Sequence, residues 1–123
     1  MILVDASVWI DHFRAPDATL EGLLSKGAVL THPYVIGEIA LGQLRSRSEA
    51  IAMLRRLQKT EIARDPEVLR FIDRYKLYGL GIGYIDVHLL ASTILTDGSS
   101  IWTRDKRLRA AAESMSIAAA GLK

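Results

Sequence analysis

Apolar positions recur along this chain in two rhythms. Short continuous runs stand at Ile2-Leu3-Val4, Ala28-Val29-Leu30 and Ile101-Trp102. Between them, apolar residues return every three or four positions, as in Leu20, Leu23 and Leu24, in Ile51, Leu54 and Leu57, and in Leu69, Ile72 and Tyr75. A short continuous run suits a strand covered on both faces, and three-four spacing suits one face of a helix. Strands therefore alternate with helices, which predicts an α/β fold with a mostly parallel sheet flanked by helices.

The punctuation sharpens the elements. Ile2–Val4 is a buried strand, and Ser7 can cap a helix begun by Val8, Trp9 and Ile10. Pro16 breaks the chain, and Asp17 caps a short helix that Gly27 ends. Ala28–Thr31 is a second strand, and His32-Pro33 leads into a helix from about Tyr34 to Leu44. Ser48 caps a helix to about Leu57, and Thr60–Ala63 reads as a short strand. Asp65-Pro66-Glu67 is a helix start, with the acid as cap and proline at the first helical position. Leu69, Ile72 and Tyr75 should pack inward from that helix. The run Gly79-Leu80-Gly81-Ile82-Gly83 breaks the chain before a helix from about Tyr84 to Leu95, with Ile85, Leu89 and Ser92 along one side. Ile101–Thr103 is a strand, Asp105 precedes a helix to about Ser114, and Ser116–Ala120 forms a final edge strand.

Composition bounds the chemistry. The 123 residues suffice for one domain with one core, taken as residues 1–123. With no cysteine, disulfides, thiolate metal sites and cysteine nucleophiles are excluded. That usage is compatible with a reducing cytosol. No apolar run reaches membrane-spanning length, and Asp5 and Asp11 interrupt the apolar start, so no signal peptide is expected. Net charge is only +2, but nine basic residues stand against five acids between Arg45 and Lys76. Arg104, Lys106, Arg107 and Arg109 form a second cluster. Such patches favour phosphate backbones, although a salt-bridged helix surface has the same composition.

Four acids stand out by context within this basic chain. Asp5 follows the first strand and Asp105 the Ile101–Thr103 strand, so parallel strands put both at the carboxyl edge of the sheet, where open α/β sheets place their sites. Glu38 stands beside the apolar stripe of its helix. Asp86 lies in the first turn of the helix after the glycines, where the helix dipole favours an ionised acid. An empty cluster of carboxylates repels itself, and a divalent cation with oxygen ligands relieves the repulsion. Acid-bound Mg²⁺ activates water and neutralises phosphate oxygens, the needs of a nuclease. The bland alternatives are a cap for Asp5, Asp86 or Asp105 and a rim salt bridge for Glu38. His12, His32 and His88 lack paired spacing and suit structural roles. The glycine run lacks the strand-to-helix context of a dinucleotide fingerprint and the lysine and hydroxyl of a phosphate loop.

Four motifs resemble one known family. They are Ile2-Leu3-Val4-Asp5-Ala6-Ser7-Val8-Trp9, Glu38-Ile39, Gly83-Tyr84-Ile85-Asp86-Val87-His88-Leu89-Leu90-Ala91, and Trp102-Thr103-Arg104-Asp105-Lys106-Arg107-Leu108. In order, spacing and total length the chain resembles a PIN domain, and within that group the VapC-type toxins of bacterial toxin–antitoxin pairs. The resemblance implies a three-layer α/β/α sandwich and a Mg²⁺- or Mn²⁺-dependent endoribonuclease with Asp5, Glu38, Asp86 and Asp105 at the metal. It implies supporting roles for Ser7 and Thr103, an RNA substrate, a cognate antitoxin protein, a homodimer and a cytoplasmic location. Many relatives carry a further acid two residues beyond the position of Asp105. Here that residue is Arg107, and the aromatic often found next is Leu108. One-metal and two-metal mechanisms both fit. Two rival classes are a different acid-dependent phosphotransfer domain and a non-catalytic RNA- or protein-binding module.

Overall fold

The computed structural model describes residues 1–123. Four short strands form its sheet: β1 (Ile2–Val4), β2 (Val29–Thr31), β3 (Gln58–Lys59) and β4 (Ser100–Trp102). All neighbouring pairs are parallel, in the order β3-β2-β1-β4. Ile2 faces Val29 on one side and Ser100 on the other. From β1 the chain steps outward through β2 to β3, then returns to the opposite side of β1 as β4. Chain direction across the sheet therefore reverses between β1 and β4, and their carboxyl ends open the crevice where such sheets bind ligands.

Seven helices complete the fold: α1 (Ala6–Arg14), α2 (Ala18–Ser25), α3 (Pro33–Ala40), α4 (Arg47–Arg56), α5 (Asp65–Tyr75), α6 (Tyr84–Leu95) and α7 (Lys106–Ser114). α3 packs on both α1 and α4, and α5 packs on α6. The architecture is the PIN-like α/β/α sandwich expected from the sequence. Leu3, Val4, Trp9, Leu30, Ile101 and Leu108 anchor the core between strands and helices. Burial of each such side chain contributes roughly 1.5–3 kcal/mol. α6 is buried without interruption from Val87 to Thr93, so it lies inside the molecule rather than on it.

Several expectations change in the fold. The third strand is Gln58–Lys59, not Thr60–Ala63. After Thr60 donates to the Thr31 carbonyl, the backbone turns to α6: Glu61 N–H donates to Thr96 Oγ1 and Ala63 N–H to Ser92 Oγ. The final strand reduces to one bridge, Ala118 against Ile101. The helix carrying Glu38 stops at Ala40, short of Leu44. Leu69 and Ile85 face outward, and Val68 takes the buried place on α5. The cap of α1 is Asp5, whose side chain accepts from Ser7 N–H, so Ser7 is the capped residue and not the cap. Likewise α5 begins at Asp65 rather than being capped by it, and its first turn closes through Arg64 N–H donating to Glu67.

Candidate active site

Asp5 is the most enclosed of the four acids, only 6% exposed. Its position follows from β1: the backbone N–H of Asp5 donates to the Trp102 carbonyl of β4, and the chain then turns directly into α1. One oxygen, Oδ2, accepts from Ser7 Oγ at 2.7 Å, from Thr103 Oγ1 at 2.8 Å and from Ser7 N–H at 3.4 Å. Oδ1 accepts none of these bonds. A carboxylate locked through one oxygen keeps the other free in a fixed direction.

Thr103 couples Asp5 to the neighbouring strand end. Its Oγ1 also accepts from Asp105 N–H at 3.1 Å, and Ser7 Oγ accepts from Arg104 N–H at 3.0 Å. Asp105 in turn caps α7, with Oδ1 accepting from the backbone N–H groups of Arg107 and Leu108, both at 3.0 Å. Two hydroxyls thus cross-link the β1–α1 and β4–α7 junctions and set the two aspartates side by side at the crevice.

Glu38 and Asp86 approach from helices. Asp86, in the first turn of α6, accepts from Gly83 N–H at 3.3 Å. Burial raises its carboxyl above the usual range, the Gly83 bond opposes that, and the charges of Asp5 and Asp105 raise it further. Glu38 is raised first by burial and then by Asp5 and Asp86. The four acids therefore sense one another as a single electrostatic group, and it is self-repelling. Glu38 Oε1 is buried with no hydrogen-bond partner. A buried carboxylate oxygen without a donor is costly unless something positive comes to it.

A divalent cation fits this donor set: an orphaned oxygen on Glu38, a free Oδ1 on Asp5, and two acids whose ionisation is held back by burial and then by like charge. No three Asp, Glu or His side chains are drawn together tightly enough to cage a bare ion by themselves. Mg²⁺ does not need such a cage, since it binds through one or two carboxylates and retains several waters. The histidines stand elsewhere. His12 Nδ1 accepts from Asp17 N–H, His32 is the cap of α3, and His88 reaches Asp65.

Two features escaped the sequence. His32 caps α3 through Nδ1, which accepts from Tyr34 N–H at 3.0 Å, while Nε2 meets Ser92 Oγ at 3.2 Å. Proline at the first helical position marks the residue before it as the cap, and that was the available signal. Asp65 Oδ1 accepts from Tyr84 O–H at 2.8 Å and lies 3.0 Å from His88 Nε2. No local pattern announces a bond from α5 to α6.

Comparison with known proteins agrees with this geometry. The PIN domain family profile matches residues 2–114. The chain is 45% identical over 120 residues to ribonuclease VapC32 of Mycobacterium tuberculosis (strain CDC 1551 / Oshkosh), with 98% of this chain and 97% of that protein covered. Ribonuclease VapC32 of Mycobacterium tuberculosis (strain ATCC 25618 / H37Rv) matches to the same extent.

Proposed function

The chain belongs to the PIN-domain family and, within it, to the VapC-type ribonucleases, so it is an endoribonuclease acting as the toxin of a toxin–antitoxin pair; we propose that it cuts RNA with Mg²⁺, or Mn²⁺, held directly or through retained water by Asp5, Glu38, Asp86 and Asp105. The observation that carries the metal reading is the self-repelling acid group with its orphaned Glu38 oxygen.

A divalent ion in that group supplies Lewis acidity toward phosphate oxygens and a more acidic water. The chain's own residues do the rest. Asp5 presents Oδ1 while Ser7 and Thr103 hold Oδ2, so its carboxylate need not reorganise when the ion arrives. Asp105 and Asp86, each fixed by backbone N–H donors, bound the crevice on its other sides. Glu38 orients the attacking water and takes its proton. In-line attack forms the water O–P bond as the P–O3′ bond breaks, leaving a 5′-phosphate, and the departing 3′-oxygen takes a proton from solvent to become the 3′-hydroxyl. The unit that does this is one domain of residues 1–123. We assign to it a protein antitoxin as inhibitor, a homodimeric state and a cytoplasmic place of action. No helix is long and apolar enough to cross a membrane.

The test is cleavage of mixed structured RNAs by purified protein, with and without Mg²⁺ or Mn²⁺, beside Asp5→Asn. Metal-dependent cutting with 5′-phosphate ends, lost in the variant, is the expected result. Full activity of Asp5→Asn at saturating metal overturns the assignment. Trapping of a covalent acyl-phosphate would move the protein to the phosphotransfer class instead.

A further inference from the structure

The four basic residues after β4 look alike in sequence and differ in space. Arg104 forks onto Asp11 at 2.8 Å and Asp17 at 2.7 Å and donates to the Lys123 carbonyl. It fastens α1 and the start of α2 to the chain's last residues. Arg109 pairs with Glu113 one turn along α7 at 3.3 Å. Lys106 and Arg107 form no ion pair.

Arg107 alone of these two has a seat. Its backbone N–H is bound to Asp105. Its guanidinium lies on the backbone of Gly81: a Cβ at that glycine would stand 2.6 Å from Nη1 and 3.2 Å from Cζ. Gly81 has φ +75, a conformation glycine adopts at no steric cost. Two residues on, Gly83 N–H is the donor to Asp86. The guanidinium thus spans from the junction that carries Asp105 to the loop that leads into the first turn of α6, where Asp86 lies.

An exposed arginine beside under-neutralised carboxylates would ordinarily swing onto one of them. Arg107 does not. Its side chain forms no ion pair with any acid, and its one bond to Asp105 is made by the backbone N–H. Its fork of five N–H donors stays unspent at the rim, and that fork matches the two free oxygens of a phosphate. Because it rests against Gly81 and pairs with none of the acids, the phosphate it would meet is a neighbour of the one among the acids.

We propose that Arg107, seated on Gly81, is a substrate-positioning residue that grips an RNA backbone phosphate flanking the one being cleaved. This rests on the nuclease reading. The grip keeps a positive charge near a site whose own charge is negative, without competing with the metal for the carboxylates.

The experiment is fluorescence anisotropy of full-length protein in EDTA, with a labelled mixed-sequence single-stranded RNA over a KCl series, alongside steady-state cleavage. Arg107→Ala should weaken binding about tenfold. It should also flatten the slope of log Kd against log salt by about 0.7, the value for one lost contact to a single strand. In cleavage it should raise KM and leave kcat near wild type. Gly81→Ala should reproduce these changes, and adding it to Arg107→Ala should add little. Gly79 is a control for backbone strain, since it has φ +74 and nothing within 4 Å of a Cβ, so Gly79→Ala should spare binding. Lys106→Ala controls for general charge and should lose less than Arg107→Ala. Unchanged RNA binding in Arg107→Ala, or an equal loss in Lys106→Ala, overturns the proposal. If Asp5→Asn abolishes cleavage while Arg107→Ala behaves as wild type, only this inference falls. If Asp5→Asn still cuts but Arg107→Ala binds RNA poorly, the metal assignment falls and the phosphate grip stands.

Discussion

The β1–α1 and β2–α3 junctions solve the same problem with different residues. Each ends a three-residue strand, turns at once into a helix and caps that helix with a buried side chain, Asp5 in one and His32 in the other. His32 has no capacity left: Nδ1 accepts from Tyr34 and Nε2 is spent on Ser92, whose hydroxyl also receives Ala63 N–H. Asp5 satisfies its cap and its hydroxyl partners with one oxygen and keeps the other. One junction is closed and serves the fold. The other is left open at the point where chain direction reverses in the sheet, and it serves chemistry.

Swapping out the two caps should separate these roles, and the effects should run in opposite columns. Asp5→Asn should reduce RNA cleavage by more than about a hundredfold, beyond the loss typical of an outer-shell partner. Its melting midpoint should stay near wild type, because asparagine still offers an acceptor to Ser7 and Thr103. His32→Ala should instead lower stability by about 3 kcal/mol, or about 10 °C in melting midpoint, through the lost cap and the orphaned partners at Ser92 and Tyr34. A cleavage assay and a thermal melt on both variants check the pair. If His32→Ala melts like wild type, the closed junction is not structural.

The closed junction also predicts a pH dependence. Burial, helped by the charge of His88, lowers the His32 pKa to about 4. The unfolded chain therefore takes up this proton first as pH falls. The stability contribution is whole above about pH 6.5, is lost as pH drops from there toward 4, and changes no further below it. The loss is roughly 3 kcal/mol at its largest. Urea midpoints between pH 7 and 4 should show it, and His32→Asn, a capping residue without the titration, should flatten that part of the curve.

The open junction predicts a response to metal. Mg²⁺ or Mn²⁺ should stabilise the wild type by about 2.7 kcal/mol at a hundredfold excess over the dissociation constant, read as a rise in melting midpoint. Asp5→Asn should show little of this rise. The smallest effect belongs to Glu38. Its raised carboxyl means that the folded state holds the proton more tightly than the unfolded one, so its contribution to stability is present at low pH and is lost as pH rises. Glu38→Gln should therefore raise the melting midpoint of the metal-free protein slightly at neutral pH, and the gain should vanish in acid.

Much of this arrangement was legible without coordinates, because it is local. Strand runs, the Asp17 cap, proline at a helix start and the acids that follow strands are all patterns within a few residues. Errors fell where a partner distant in sequence overrode the local signal. Thr60–Ala63 has strand character, yet Thr96 and Ser92 of α6 draw its backbone away from the sheet. Leu69 lies in the spacing of an inward face, but Val68 is the residue buried on α5, the helix that packs on α6.

By itself, then, the sequence determined which residue types were available at each strand end, which helices could start where, and that acids would collect within a basic chain. These follow from backbone sterics, capping and periodicity, which act over a turn or two. Only the tertiary structure decided which acid was open and which arginine was free. Strand order brings Thr103 onto Asp5 across 98 residues and Ser92 onto His32 across 60. The same packing ties Arg104 to Asp11 and Asp17 and leaves Arg107 lying unpaired on a glycine. Hydrogen-bond capacity is spent by neighbours in space, and those neighbours are chosen by sheet topology.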